Sequence, residues 1–264
     1  MNLNPEDRKN WQGFLDLLQP PPGYRLGGAL GTTFGLSIDA LTAALLSMCD
    51  ADGEELASNP VAATMAITRL THKLRVLVHP ATITGPAPTV GSNSFIALLD
   101  RLVVEVQPTS GLFHPKVWAM RFEHIGPPTH GRPREVGRVL VGSRNLTGST
   151  SFELGAMFEG TVANDGADVS ELSRDVARAL REWLTATTVR YPEPVWRLPE
   201  FIGRLAFEVP HEANALLRLR WQGGARAARQ CPAHPAAARG RRDPIYPARL
   251  RRSSTRPHWD AAHR

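Results

Sequence analysis

β-like and helix-like segments alternate along the first 220 residues, and that alternation sets the fold class. HKLRVLVHP (72–80), LVVEVQP (102–108), FHPKVWAMRF (113–122), EVGRVLVG (135–142) and FELGAMFEG (152–160) are short runs rich in aliphatic, β-branched and aromatic residues, as half-buried or buried strands require. YRLGGALGTTFGL (24–36) predicts a strand running into a loop, and SIDALTAALLSMCD (37–50) a helix capped by Ser37. SNSFIALLDR (92–101) predicts a short helix. DVSELSRDVARALREWLTAT (168–187) predicts an amphipathic one, with Val169, Leu172, Val176, Leu180 and Leu184 on one side. Near the N-terminus, Trp11, Phe14, Leu15 and Leu18 at helical spacing predict another short helix, stopped by the prolines at 20–22. The expected architecture is α/β: a mixed or parallel sheet with helices interspersed.

The turn-rich EHIGPPTHGRPR (123–134) predicts a hairpin with a long exposed loop, in which His124 and His130 are solvated. His72 and His79 flank a strand without a ligand set. GGALGTT (27–33) lacks the Lys of a phosphate-binding loop, and its glycines miss the dinucleotide spacing. GLSIDALTAALLSMC (35–49) is too short for a membrane span and carries Asp39, while MNLNPEDRKNWQ lacks a secretory apolar region. The expectation is a cytoplasmic protein with no membrane contact. Cys49 and Cys231 lie far apart in regions of unlike composition and suggest neither a disulfide nor a zinc site.

Net charge is +6, but residues 221–264 hold ten Arg and two Asp, leaving 21 basic and 23 acidic residues in 1–220. The basic character thus belongs to a tail that also holds ten Ala and five Pro, has no Val, Phe, Met, Glu or Lys, and cannot bury a face. One reading is a basic arm for nucleic acid or an acidic partner. The preferred one is an out-of-frame end to a longer protein, since GC-rich codons read in another phase give Arg, Ala, Pro and Gly. The expected layout is a catalytic domain over 1–205, a connecting segment over 206–220 and an irregular basic tail over 221–264.

The chain has 28 arginines and only three lysines, Lys9, Lys73 and Lys116, so the lysine inside the apolar GLFHPKVWAMRF (111–122) asks for a reason. In extended backbone His114 and Lys116 share a face. The neighbouring strand ends in VGSRNLTGS, where Gly142 permits a tight turn and Ser143 and Asn145 present a hydroxyl and an amide; Glu153 opens the next strand. Imidazole, ammonium, hydroxyl, amide and carboxylate suit attack on a phosphodiester. A neutral imidazole is a nucleophile near pH 7. Lys, Ser and Asn donors stabilise the charge that grows on the phosphate oxygens without a metal, and a carboxylate on the far imidazole nitrogen holds the tautomer.

At His114-Pro-Lys116 and Gly142-Ser143-Arg-Asn145 the chain resembles the phospholipase D superfamily, whose signature is H-x-K followed by G-S-x-N. GSRNLTGSTSFELG (142–155) is similar to nuclease-like members found with helicases and restriction or anti-phage systems, and ALGTTFGLSIDALTAALL (29–46) looks, more loosely, like their opening segment. The resemblance implies a phospholipase D-like α-β-α sandwich with a mixed sheet and a metal-independent, cofactor-free nuclease acting on DNA. It implies His114 as nucleophile or acid partner, Lys116, Ser143 and Asn145 on the phosphate, and Glu153 orienting the histidine. A helicase or restriction or anti-phage system is the implied partner.

Three departures stand out. The family pattern places Asp where this chain has Arg121, the gap between the two motifs is long, and the second motif that the family's two-histidine chemistry needs is missing. A homodimer could bring two copies of His114 to one site; otherwise the second motif lay in lost sequence. A truncated, non-catalytic nucleic-acid binder and a phospholipid phosphodiesterase are the rival functions. Residue by residue, Lys116 also reads as a snorkelling surface lysine, Ser143 and Asn145 as turn formers, and Glu159 as a weaker rival to Glu153. Trp118 and Phe122 are expected in the core rather than on a nucleobase.

Overall fold

β1 (Tyr24–Thr33) is buried along nearly its whole length, Arg25 alone reaching solvent, and it is hydrogen-bonded on both sides. β3 (Leu74–Val78) runs parallel to it, and β5 (Val103–Glu105) parallel to β3. On the other side β6 (Val117–His124) runs antiparallel, followed antiparallel by β7 (Glu135–Gly142), β8 (Gly155–Val162) and β9 (Leu205–Phe207). The outcome is a seven-stranded mixed sheet in the order β5-β3-β1-β6-β7-β8-β9, with a small parallel pair, β2 (Leu36–Ser37) and β4 (Ile83–Thr84), beside it. The computed structural model describes residues 13–49, 58–85, 93–108, 111–126, 132–148, 155–208 and 219. The chain divides into two units, Met1–Gly224 and Ala225–Arg264, and every described residue belongs to the first.

Strand alternation divides the apolar side chains between two helical layers. Trp118, Met120 and Phe122 point to one face, where Leu18, Leu41, Leu45, Ile67, Leu70 and Leu98 cover them from α1 (Phe14–Leu18), α2 (Ile38–Ser47), α3 (Pro60–Leu70) and α4 (Asn93–Asp100). Ala119 and Val139 point to the other. There Leu172, Val176, Leu180, Leu184, Val195, Leu198 and Ile202 pack from α5 (Glu171–Thr185), α6 (Glu193–Trp196) and α7 (Leu198–Ile202). This is the expected α/β sandwich with a mixed sheet, and Trp118 and Phe122 are core residues as expected. Among the described residues no helix is long and apolar enough to cross a membrane.

Several expectations need correction. β9 begins at residue 205 and supplies the seventh strand; Ser170 and Ser173 pin it through Phe207 N–H (2.9 Å) and the Leu205 carbonyl (2.7 Å). The 123–134 insert is shorter than expected. Glu123 pairs with Glu135, His124 N–H donates to the Arg134 carbonyl at 3.0 Å, and the His124 ring meets Tyr24 edge-on at 5.2 Å, so His124 is a strand residue rather than a loop one. His130, Trp11 and the tail lie outside the described residues. Ser37 stands at the N-cap of α2 but makes no side-chain capping bond; its N–H donates to the Leu146 carbonyl at 2.8 Å. Lys73 also has a structural reason: the register of β1 on β6 shifts between Leu26 and Gly28, and Lys73 Nζ donates to the Leu26 carbonyl at 3.0 Å.

β1 lacks a side chain at Gly31 because the Trp118 ring lies on it; a Cβ there would come within 2.8 Å of three ring atoms. Urea unfolding of Gly31→Ala is expected to show a loss of about 1–3 kcal/mol, the range for overpacking a closed core. A loss inside experimental error would contradict this packing.

Candidate active site

β3 is parallel and β6 antiparallel to β1, so the carboxyl ends of β1 and β3 and the amino end of β6 meet at one end of the sheet. β7, antiparallel to β6, ends there too. The topology therefore brings the two sequence motifs to the same edge: His114-Pro115-Lys116 leads into β6, and Gly142-Ser143-Arg144-Asn145 leaves β7. The carboxyl edge of parallel strands is where open α/β sheets place their ligands.

Two buried threonines at the end of β1 hold both motifs. The ladder between β1 and β6 reaches Gly31 and Trp118, and one residue further the Thr32 hydroxyl takes over, donating to the Val117 carbonyl at 3.1 Å and accepting the Val117 N–H at 2.9 Å. The Thr33 hydroxyl donates to the Gly35 carbonyl at 2.7 Å and accepts the Leu146 N–H at 3.0 Å. Thr32 thus fixes the residue after Lys116, and Thr33 the residue after Asn145. Gly142 N–H donates to the Lys116 carbonyl at 2.8 Å, closing the link between the motifs.

Formal strand structure starts at Val117, later than the expected 113, yet His114 and Lys116 do share a side. Lys116 Nζ lies 2.9 Å from His114 Nδ1 and 3.1 Å from Nε2. An ammonium has only donors, so this contact needs an unprotonated ring nitrogen. Partial burial, and after it the Lys116 charge, hold the His114 imidazole below the ordinary histidine range; partial burial likewise lowers the Lys116 ammonium. Both shifts have the same sense: another positive charge is unwelcome here.

The next two residues of the chain join the halves of the site. The Phe34 ring lies 4.9 Å from that of His114, tilted by 47°, and stacks on His79 at 5.0 Å and 18°. Gly35 faces Asn145, where a Cβ would lie 3.3 Å from Nδ2. The Asn145 Oδ1 is buried with no hydrogen-bond partner among the described residues. Unsatisfied buried polar atoms are uncommon in native proteins, and half a turn of this amide would present a donor in place of an acceptor. Ser143 is exposed and Arg144 half-buried in the same loop. Glu153 lies outside the described residues. Its rival Glu159 is taken by Arg138, at 2.6 and 2.7 Å, four residues along β8 from the site end. Arg121, where the resemblance would have placed Asp, pairs with Glu123 at 2.7 Å within β6. Among the described residues no three His, Cys, Asp or Glu side chains form a metal-holding group.

Sequence reasoning missed four contributors. Thr32, Thr33 and Phe34 lie in the stretch expected to run from strand into loop and were given no role at the site. His79 was set aside for lack of ligands, although a histidine directly after a parallel strand stands at the functional edge of such a sheet.

In an NMR titration the His114 imidazole, assigned by its loss in His114→Gln, is expected to titrate below the ordinary value of about 6.5 and to move part of the way up in Lys116→Met. A base with a lowered pKa keeps its neutral form to lower pH, so a rate that needs neutral His114 falls only on the acid side of the ordinary range. An ordinary or raised value in the wild type, or no movement in Lys116→Met, would contradict the contact.

No family model and no curated protein matches this sequence. Among solved structures, the chain is similar to yeast tyrosyl-DNA phosphodiesterase: 11% identical, covering 74% of this chain and 38% of that one, with a TM-score of 0.42. Two variants of the same enzyme give 9% identity over 77% and 40% at a TM-score of 0.42, and 10% over 72% and 36% at 0.40. The chain spans less than half the length of these structures, and likeness at this level says nothing of what it binds or does.

Proposed function

We propose that this chain carries a phosphodiesterase site acting on nucleic acid, DNA in the first place, with His114 at its centre. The observation that carries the reading is the Lys116 ammonium set within hydrogen-bonding distance of an imidazole whose pKa burial and that same charge lower, at the carboxyl edge of the parallel strands. A neutral imidazole is the form that attacks, and a fixed cation beside it meets the charge that develops on the phosphoryl oxygens.

In the proposed reaction one imidazole nitrogen of His114 forms a bond to phosphorus while the bond from phosphorus to the leaving oxygen breaks. That oxygen takes a proton from a second histidine. Water, giving its proton back to the second histidine, then attacks phosphorus and breaks the phosphorus–nitrogen bond, which frees His114. Lys116, Ser143 and Asn145 hold the non-bridging oxygens; Glu153, two residues before the start of β8, orients His114. The chain contains one H-x-K followed by G-S-x-N. The second histidine comes either from His114 of a second copy across a two-fold axis, since an isologous contact duplicates whatever lies near its axis, or from a second motif in sequence beyond this chain.

Cleavage of single- and double-stranded DNA in excess EDTA is expected for the wild type and should drop by about a thousandfold or more in His114→Ala, a loss of the size seen when a catalytic nucleophile is removed. Activity abolished by the chelator, or retained in His114→Ala, would refute the phosphohistidine route. Subunit sharing has its own signature. An equal mixture of wild type and His114→Ala, after exchange, should retain about one quarter of the activity if each site needs both histidines, against about one half for independent sites.

A further inference from the structure

We infer that His79 is a positioning residue for His114, setting the direction of the reacting ring through two contacts; the inference rests on the reading of His114 as the reacting imidazole. The first contact is through Phe34, whose ring meets both histidines, stacked on His79 at 5.0 Å and tilted on His114 at 4.9 Å. The second is through the backbone: Phe113, the residue before His114, donates its N–H to His79 Nδ1 at 3.3 Å. Accepting that N–H makes Nδ1 the unprotonated nitrogen of a neutral His79 and leaves the ring proton on Nε2. His79 is thus tied to His114 on two sides, once by the ring that His114 rests on and once by the backbone N–H of the residue before it.

The turn that carries His79 is itself held in shape. Ala81 has φ of 57°, left-handed backbone that is strained for a residue other than glycine. Its N–H donates to Glu105 Oε1 at 3.2 Å, and the Thr82 hydroxyl bridges the His79 carbonyl, at 2.6 Å, and the Phe34 carbonyl. Thr82 therefore ties the backbones of the same two residues whose rings stack. Strained backbone of this kind persists where the surroundings over-determine it, and it clusters at functional sites. Thr82 thus braces His79 and Phe34, and Phe34 in turn meets the His114 ring.

The test uses the full chain with His79→Ala and His79→Asn, reading the His114 ring-proton resonance by NMR and kcat and KM on a DNA substrate. In His79→Ala the His114 resonance is expected to shift, because its position over the Phe34 ring changes, and kcat to fall about ten- to a hundredfold, with KM within about twofold, the pattern of a misplaced reacting group. His79→Asn, which keeps an acceptor for Phe113 N–H but loses the stack, should lie between Ala and wild type. Unchanged resonance and kcat in His79→Ala, or equal losses in kcat and affinity, would overturn the inference. If His79→Ala does not fold, the His114 resonance of His79→Asn decides alone, and an unshifted signal overturns it. A wild type without cleavage would refute the proposed function and leave the resonance shift to decide the positioning role.

Discussion

β1 sits between a parallel and an antiparallel neighbour, and everything at the candidate site follows from that. Had the β6–β7 hairpin run the other way against β1, His114, Lys116 and the Gly142–Asn145 loop would lie at the opposite end of the sheet from His79. The switch of direction brings two strand ends, one strand start and the end of β7 together. Thr32 and Thr33 then turn proximity into geometry. Each hydroxyl serves as donor and acceptor at once, and each does so in a fully buried place where an unmade bond costs about 1–3 kcal/mol. The two motifs are held to β1 by side chains rather than by ladder bonds, which leaves the backbone free to turn away from the sheet and offer its polar groups.

The electrostatics of the pair explain the choice of lysine in a chain that otherwise uses arginine. A guanidinium is a planar fork of five donors that cannot lose its charge; an ammonium is compact, and burial shifts it readily. Beside an imidazole that must be neutral, the compact charge can lie at 2.9 and 3.1 Å from the ring nitrogens and still turn toward another acceptor. Burial lowers both groups, and the Lys116 charge lowers His114 further, so additional positive charge is disfavoured here. In the proposed reaction a phosphate would supply the negative charge that offsets this.

Much of the fold was legible because its signals are local. EVGRVLVG became β7 residue for residue, and the Leu172, Val176, Leu180, Leu184 stripe became the buried side of α5. His114 and Lys116 were legible for the same reason, since two residues in extended backbone must share a side. What could not be read lies in non-local pairing. His79 and Phe113 are 34 residues apart, and no periodicity shows that β3 runs parallel to β1 and delivers His79 beside Phe34. β1 itself looked half like a loop because its glycines and alanine weaken strand propensity. They are there for close approach: Trp118 occupies the space above Gly31. The long exposed loop expected from Pro and Gly was shortened by pairing that extends to His124 and Arg134, a tertiary gain that turn chemistry does not forecast.

The central claim is that His114 is the atom donor to phosphorus, and the most direct measurement is rapid quenching into alkaline denaturant during DNA turnover, followed by peptide mapping. The expected result is an acid-labile, alkali-stable nucleotide adduct on the peptide that contains His114, absent in His114→Gln. An adduct on another residue, or steady cleavage with no adduct at any quench time, would contradict it.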